Sequence, residues 1–218
     1  MRAFRLRWPV AGVLATVILW GCSASPPPVS PNAGNAGPSG PDSRLATGAA
    51  DTVGPSPGSA GAKFRYRFRQ TLPASDRFTF YDRELSFYFR PAPDALHFQI
   101  ENKQDRAVWI DWDRSQVLAP DGSTSRAAHA TTTYRNRFNT QAPVQLRGLQ
   151  RYSDYVLPMD YLQDPGGSED QIHRPLLPED DAAPNFNGRE FGVDLVVRID
   201  NQPRTYSFRF KVVGVLPN

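Results

Sequence analysis

Apolar and polar residues alternate along most of the chain after residue 63. Phe64, Tyr66 and Phe68 share one face of the first such segment, and arginines occupy the positions between and after them. A period of two residues predicts a half-buried β-strand, because successive side chains of a strand point to opposite faces. The period recurs in three later segments, marked by the triplets Leu85/Phe87/Phe89, Leu96/Phe98/Ile100 and Val108/Ile110/Trp112.

The C-terminus contains the strongest predicted pair of strands. The segments 191–199 and 206–212 each carry large apolar residues at every second position. Between them, Asp200-Asn201-Gln202-Pro203 consists mainly of residues that favour turns. The pattern predicts a long antiparallel hairpin.

The overall pattern predicts an all-β fold. No window shows a sustained apolar period of about 3.6 residues, which argues against helical and α/β architectures. Roughly seven to nine short strands at about ten-residue spacing favour a single immunoglobulin-like antiparallel β-sandwich in residues 63–218, in preference to a closed sheet. Segment 163–188 is rich in Pro, Gly, Asp and Asn, and we expect a long loop that Leu176 and Leu177 pin to the domain.

The first 21 residues resemble an export signal in their composition. Three arginines precede an apolar stretch at residues 10–19, which is too short for a membrane span of about 20 residues. Cys22, the only cysteine in the chain, follows directly. We therefore predict that residues 1–21 are a cleaved signal peptide. The alternative is an uncleaved N-terminal anchor with an incidental cysteine.

Residues 22–62 are predicted to form a disordered tether. They are dominated by Pro, Gly, Ser and Ala, and this composition buries too little apolar surface to offset the entropy of ordering the chain. A flexible chain of about 40 residues has a root-mean-square reach on the order of 35 Å. A tether of this length would hold the domain away from a membrane to which Cys22 was attached.

The charge balance argues against nucleic-acid binding. The whole chain has 25 basic and 22 acidic residues, but the signal peptide contains three arginines and no acid, so 25 − 3 = 22 basic residues remain beside 22 acidic ones. A domain without net positive charge lacks the electrostatic footprint that phosphate backbones require. Because the folded part contains no cysteine, it contains no disulfide framework either.

Candidate chemistry is sparse in the sequence. His97, His129 and His173 are far apart and none has a metal-ligand spacing to another, so neither a structural zinc site nor any cofactor is expected. The chain also lacks a Gly-x-Ser-x-Gly elbow, a phosphate-binding glycine loop and a dinucleotide fingerprint. Asp111 and Asp113 share one strand face and are expected to remain solvated. No catalytic residue is predicted.

Trp109 is the most informative single side chain of the predicted domain. Its position in the strand directs it away from the core, next to Asp111, whereas Trp112 points inward. An outward tryptophan is typical of residues that anchor a binding partner. The alternatives are that the 163–188 loop covers it or that this strand is buried on both faces.

The N-terminus resembles the lipobox of bacterial lipoproteins. Leu19 and Gly21 match the third and first positions before the cysteine, whereas Trp20 replaces the small residue usual between them. The order of signal, tether and cysteine-free β domain is similar to that of uncharacterised bacterial lipoproteins with one immunoglobulin-like domain. The resemblance implies acylation of Cys22, an envelope location and a β-sandwich, but no reaction.

A second part of the resemblance lies between Leu96 and Leu157. There a strand that ends at Asn102 precedes a strand with Asp111-Trp112-Asp113, and an Asp121-Gly122 turn follows. His129 and Val156-Leu157-Pro158 complete the similarity. This part implies the fold alone, and Cys22 remains the only residue whose role the resemblance indicates.

We therefore expect a non-enzymatic lipoprotein of the cell envelope, bound to the membrane through the lipid on Cys22. Its domain would bind an envelope protein or the cell wall. Ser23, rather than Asp, follows the cysteine, as in lipoproteins of the outer membrane. In a cell with two membranes, the domain would then face the periplasm.

A rival hypothesis is an enzyme or small-ligand binder that acts on envelope carbohydrate or lipid. Its site would combine the 163–188 loop with His129, His173 or Asp160. A pocket that joins a histidine to a carboxylate would favour this hypothesis, whereas a flat face around Trp109 would favour partner binding. A purely structural module within a larger envelope assembly is a third possibility.

Overall fold

The computed structural model describes residues 59–167 and 170–218. The predicted signal peptide, Cys22 and the predicted tether up to residue 58 lie outside the described residues. Thirteen β-strands run through the described residues: β1 Phe64–Leu72, β2 Ala74–Ser75, β3 Thr79–Tyr81, β4 Leu85–Pro91, β5 Leu96–Asn102, β6 Val108–Leu118, β7 Thr124–His129, β8 Val144–Leu146, β9 Arg151–Pro158, β10 Leu162–Gln163, β11 Ile172–His173, β12 Glu190–Ile199 and β13 Gln202–Pro217. Two 3₁₀-helical turns, Met159–Tyr161 and Ala183–Phe186, complete the elements.

Eleven of these strands form one antiparallel sheet. Its order is β2-β1-β13-β12-β6-β7-β9-β5-β4-β3, with β8 paired to β6 outside this path. Strands β10 and β11 form a separate two-stranded sheet. The prediction of an all-β domain is confirmed, and among the described residues the only helical elements are the two 3₁₀ turns.

The large sheet curls around a single core. Strands β4 and β13 lie toward opposite ends of the sheet order. Nevertheless the ring of Phe89 on β4 lies 4.4 Å from that of Phe208 and 5.2 Å from that of Phe210, both on β13. The two ends of the sheet therefore face each other, and the sheet nearly closes.

The core contains the residues that the alternation predicted. Tyr66 and Phe68 are buried on β1, and so are all three members of each later triplet. On β6, Trp112 is fully buried, whereas Trp109 and Asp111 on the opposite face are half-buried. The inward and outward assignments of this strand are thereby confirmed.

Strands β12 and β13 form the predicted hairpin. Their turn is tighter than the sequence indicates, because Ile199 already pairs with Gln202 and only Asp200 and Asn201 lie between the strands. Both turn residues have positive φ, 52° and 60°. This conformation suits a two-residue hairpin turn, whose twist matches that of the strands.

Segment 163–188 is a long connection that is pinned as predicted. Leu176 and Leu177 are buried, and their backbone N–H groups donate to the carbonyls of Asp94 and Pro93 at 3.2 and 2.9 Å.

The described part of the chain contains no helix that is long and apolar enough to cross a membrane.

Candidate functional site

A buried histidine–aspartate pair lies where β7 and β9 meet. The two strands are paired, with His129 of β7 opposite Val156 of β9. This register brings His129 next to Asp154, two residues earlier on β9, and the Nδ1–H of the imidazole donates to Oδ2 of the carboxylate at 3.1 Å. Both side chains are almost completely buried. Buried ionisable groups require partners, and these two residues satisfy each other.

Asp154 accepts further hydrogen bonds from its surroundings. Oδ1 accepts from the backbone N–H groups of Ala130 and Tyr155 at 3.1 and 2.8 Å. The hydroxyl of Tyr152 donates to Oδ2 beside the imidazole. A carboxylate that accepts four hydrogen bonds fixes every group that donates to it, so Asp154 holds the end of β7 and the start of the following loop in one geometry.

Burial raises the pKa of Tyr152, and the nearby charge of Asp154 raises it further. The phenol therefore remains protonated across the ordinary pH range and keeps its hydrogen for Asp154. This protonated state supports the same arrangement of hydrogen bonds around the carboxylate.

The imidazole of His129 is fixed on its remaining sides. The indole of Trp112 stacks on it, with the ring centroids 4.2 Å apart and the planes at 5°. Since Nδ1 carries the hydrogen that Asp154 accepts, Nε2 is free to accept from the hydroxyl of Thr131, 3.4 Å away. Thr131 is exposed, so a continuous contact runs from the buried pair to the surface.

Residues 130–143, called here the 130–143 loop, enclose a small cavity. The cavity has a volume of about 210 Å³. Its lining consists of hydroxyl and amide side chains with one methyl group: Thr131, Thr132, Asn136, Asn139, Thr140, Gln141 and Ala142. None of these side chains carries a charge.

The back of this cavity is held by hydrogen bonds within the domain. The hydroxyl of Thr132 donates to Oε1 of Gln141 at 2.8 Å, and the amide of Gln141 donates to the carbonyl of Ala127 at 3.0 Å. On β6, the carboxylate of Asp113 accepts from the backbone of Gln141 at 2.9 Å and pairs with Arg126 at 3.4 Å. These contacts make the loop a preformed structure.

The front of the cavity presents unused polar groups. Among the residues that the structure describes, the side chains of Asn139 and Thr140 make no hydrogen bond, and both residues are exposed. Asn136 uses only its Oδ1, which accepts from the backbone of Thr133 at 2.7 Å. Its Nδ2 therefore remains available, together with the two exposed side chains.

An exposed aromatic residue directly precedes Asn139 in the chain. Phe138 is 80% exposed, the highest value among the large hydrophobic residues of the described chain. The guanidinium carbon of Arg137 lies 4.3 Å from the centroid of its ring and 3.4 Å from that of Tyr134. Cation–π contacts of this kind stabilise the rings, so Phe138 is held in place while it faces solvent.

Trp109 lies on the outer face of β6, as predicted. It pairs with Arg198 on β12 and with Gln145 on β8. The residue is half-buried, and the loop 163–188 is anchored elsewhere, beside Pro93 and Asp94. Asp113, on the same face of β6 as Trp109, accepts a hydrogen bond from Gln141, so this face of the strand adjoins the 130–143 loop.

The other candidate residues do not converge. Asp160 is exposed in the first 3₁₀ turn, and the carboxylate beside His129 is that of Asp154. The ring of His173 lies 6.2 Å from that of Tyr155, and its Nδ1 contacts the carbonyl of Arg174. The described residues contain no group of three or more His, Cys, Asp or Glu side chains that could hold a metal ion.

The 163–188 loop nevertheless contacts the histidine pair through Gln171. The amide nitrogen of this side chain donates to the carbonyl of His129 at 2.8 Å and also to that of Thr132. The hydroxyl of Tyr155 donates to its Oε1. The loop therefore contacts the pair and supports the cavity from outside, but none of its described residues lines the cavity.

Sequence reasoning did not identify Asp154, Thr131 or Phe138. Asp154 stands within strand β9, and alternation along a strand says nothing about cross-strand neighbours. The pattern Tyr134-Arg135-Asn136-Arg137-Phe138, in which aromatic residues flank arginines outside any predicted strand, was the available signal for an exposed aromatic loop.

A second cavity, of about 330 Å³, lies where the described chain begins. Residues 59–63 form one side and residues from Pro175 to Asp180 form the other. Its main polar groups are already paired, since the backbone of Ser59 donates to Glu179 at 2.8 Å and Lys63 pairs with Asp181 at 2.8 Å. This cavity offers a ligand fewer free groups than the 130–143 loop does.

No protein-family model matches the chain, and neither the curated proteins nor the solved structures that were compared with it give a significant match.

Proposed function

We propose that this protein is a membrane-anchored lipoprotein of the cell envelope whose β domain is a non-enzymatic binding module. The anchor would be the lipid on Cys22, and the fold an immunoglobulin-like variant of the curled antiparallel sheet. The partner is an envelope protein or the cell wall. In a cell with two membranes, Ser23 favours the outer membrane, with the domain facing the periplasm.

The exposed ring of Phe138 on a preformed loop carries this proposal. The ring of an aromatic residue that is 80% exposed contributes little to the stability of the fold, whereas such residues recur at the centres of interfaces. The loop that presents it is held by Asp113 and by the His129–Asp154 pair. A rigid loop loses little conformational entropy when a partner binds, which favours affinity.

Trp109 extends the same binding surface. It shares the outer face of β6 with Asp111 and Asp113, and Asp113 supports the 130–143 loop. Four residues along a strand span about 13 Å, so Trp109 and the loop lie within reach of one partner. The tether would let the domain find that partner near the membrane.

A second candidate function is supported by the contacts of His129. Asp154, His129 and Thr131 are connected in that order, by a 3.1 Å contact and a 3.4 Å contact. Carboxylate, imidazole and hydroxyl in this order are the groups that activate a nucleophile in hydrolases. An enzyme or small-ligand binder that acts on envelope carbohydrate or lipid, with the 163–188 loop as its cover, is therefore the alternative.

The first test is a crosslinked pull-down of the full-length protein from whole cells at native levels. Phe138→Ala and Trp109→Ala are compared with Tyr81→Ala, which removes an aromatic ring that is 74% exposed on β3. We expect one dominant envelope partner that is lost with the first two variants and retained with Tyr81→Ala. Equal capture by all three variants would contradict the binding surface, and capture of no protein would exclude a protein partner and leave the cell wall.

The anchor is tested separately with Cys22→Ala. We expect the wild type to carry the mass of a lipid and to fractionate with membranes, and the variant to lose both properties. A mature protein that retains residues 1–21, or a variant with unchanged mass and fractionation, would refute the lipoprotein assignment.

The alternative function is tested with Thr131→Val, which keeps the size of the side chain and removes the hydroxyl. If the protein hydrolyses a chromogenic ester or glycoside and Thr131→Val abolishes this activity, the enzymatic hypothesis replaces the binding module. If neither form turns over these substrates, the binding module is retained.

A further inference from the structure

The cavity of the 130–143 loop has the chemistry of a ligand site. We propose that it binds a single ring of a neutral saccharide from an envelope glycan, with Phe138 as a stacking platform at its edge. This inference rests on the proposed binding function and names the chemical class of the partner at that surface.

The free groups of the cavity match the hydroxyl groups of a sugar. Asn139 and Thr140 each offer a donor and an acceptor, and Asn136 offers the hydrogens of its Nδ2. Each sugar hydroxyl both donates and accepts, so it can pair with an amide and a hydroxyl at once. Such side chains suit a ligand whose neighbouring groups both donate and accept hydrogen bonds.

The absence of charge from the lining favours a neutral ligand. All seven described lining residues are uncharged, Arg126 beside the loop is paired with Asp113 at 3.4 Å, and Arg135 of the loop donates to the carbonyl of Gly167 at 3.3 Å. Arg137 is occupied by the rings of Tyr134 and Phe138. A phosphate or carboxylate would need an exposed donor with a full positive charge, which the lining does not supply.

The lining also argues against an apolar ligand such as an acyl chain. Among the described lining residues, Ala142 contributes the only purely apolar side chain. Pockets for apolar molecules are lined mainly by hydrophobic and aromatic side chains. In this cavity, an acyl chain would leave the amide groups without hydrogen-bond partners.

The size of the cavity fits one ring. The cavity volume is about 210 Å³. Drug-sized ligands need about 300 Å³ or more. The remaining rings of a longer glycan would extend over the surface.

Phe138 provides the apolar contact that a sugar ring also needs. It stands in the chain between Asn136 and Asn139, which both line the cavity. One face of a pyranose ring consists of C–H groups, and an aromatic face is a suitable partner for them. A ring in the cavity and an adjoining ring on Phe138 would account for both the polar lining and the exposed aromatic group.

The test is a titration of the full-length protein in detergent, followed by the backbone amide signals in nuclear magnetic resonance spectra. The probes are the uncharged tetramers of N-acetylglucosamine and of glucose, with inorganic phosphate as the charged control. We expect at least one tetramer to shift the amides of residues 131–142, and we expect phosphate to leave them unchanged.

Variants connect the shifts to the proposed groups. A double variant, Asn139→Ala with Thr140→Val, removes two exposed side chains and should weaken saccharide binding about tenfold or more. Phe138→Ala should weaken it about fivefold to tenfold. Tyr81→Ala is the matched control and should bind like the wild type. Because all these side chains are exposed, the variants should fold normally, and their spectra will verify this.

The outcomes separate this inference from the proposed function. Saccharide shifts that appear elsewhere, shifts with phosphate alone, or no shifts with either tetramer would overturn the saccharide site. If the pull-down partner still depends on Phe138, the binding surface stands and its partner is a protein. If saccharide binding is found but no envelope protein is captured, the partner is the cell wall glycan.

Discussion

Two parts of the core are built on different physical principles. In the aromatic region, formed by Phe87, Phe89, Phe208 and Phe210, rings from β4 and β13 pack with centroids as close as 4.4 Å. In the His129–Asp154 cluster, formed by these two residues with Trp112 and Tyr152, hydrogen bonds determine the arrangement.

The two regions differ in how strictly they require their groups to be oriented. Burial of apolar surface is almost independent of orientation, so the aromatic region stabilises the curled sheet without fixing any loop. A carboxylate with four donors tolerates one arrangement, because a buried polar group that loses its partner costs free energy. The fold therefore uses the polar cluster at the place where a loop must be held in a defined conformation.

The largest expected effect belongs to Phe208→Ala. Removal of a fully buried ring should lower the free energy of unfolding by about 4 kcal/mol, through lost burial and the cavity that remains. Urea unfolding measures this change. Phe208→Leu should recover a large part of the loss because it refills most of the volume. Equal losses from both variants would mean that the aromatic region depends on ring geometry and not on burial.

Asp154→Ala should lower the free energy of unfolding by about 3 kcal/mol, because His129, Tyr152 and two backbone N–H groups lose their acceptor. The conservative change Asp154→Asn should recover little of this loss, since its amide hydrogens would face donors. Urea unfolding of both variants, with amide exchange in residues 130–143, measures the effect. An Asn variant as stable as the wild type would remove the contrast between the two regions.

Alkaline pH should lower the stability of the polar cluster, with a smaller effect than the two preceding substitutions. The pKa of Tyr152 is raised above its ordinary value of 10.0, first by burial and then by Asp154. A group whose pKa is higher in the folded than in the unfolded state contributes its full stability below the unfolded pKa. This contribution is lost as the pH rises from the unfolded pKa toward the folded one. The free energy of unfolding should therefore fall above pH 10, and that of the Tyr152→Phe variant should fall less steeply. Tyr66 and Tyr206, whose pKa values burial also raises, should continue to contribute in the variant.

Below pH 10, Tyr152→Phe should itself cost about 1 kcal/mol, because Asp154 loses one donor. Parallel denaturant curves on both sides of pH 10 test this pair of expectations. A variant whose pH dependence is identical to that of the wild type would show that Tyr152 does not carry the alkaline effect.

Phe138→Ala should have the smallest effect on stability, within about 0.5 kcal/mol, because its ring is exposed. Thermal or urea unfolding measures it beside Tyr81→Ala. A loss of more than about 1 kcal/mol would show that the ring serves the fold, and the argument for a binding role would then fail.

Much of the architecture follows from alternation in the sequence. Phe64 to Phe68, the β4, β5 and β6 triplets and the terminal hairpin were predicted as strands with the correct buried faces, because the strand period is a local property. Leu176 and Leu177 were predicted as anchors because they are the adjacent apolar pair within a polar segment. Strand β7 was missed, since its Thr, Ser and Ala residues give no clear alternation.

The sequence by itself determined the strands with clear alternation, the inward faces of these strands and the all-β class. Only the tertiary structure decided that β4 faces β13, that His129 meets Asp154 and not Asp160, and that residues 130–143 enclose a cavity. The physical reason is that side-chain period is encoded within a few neighbouring residues. Cross-strand register and sheet curvature instead depend on contacts between residues that are distant in the chain, and alternation is silent about these contacts.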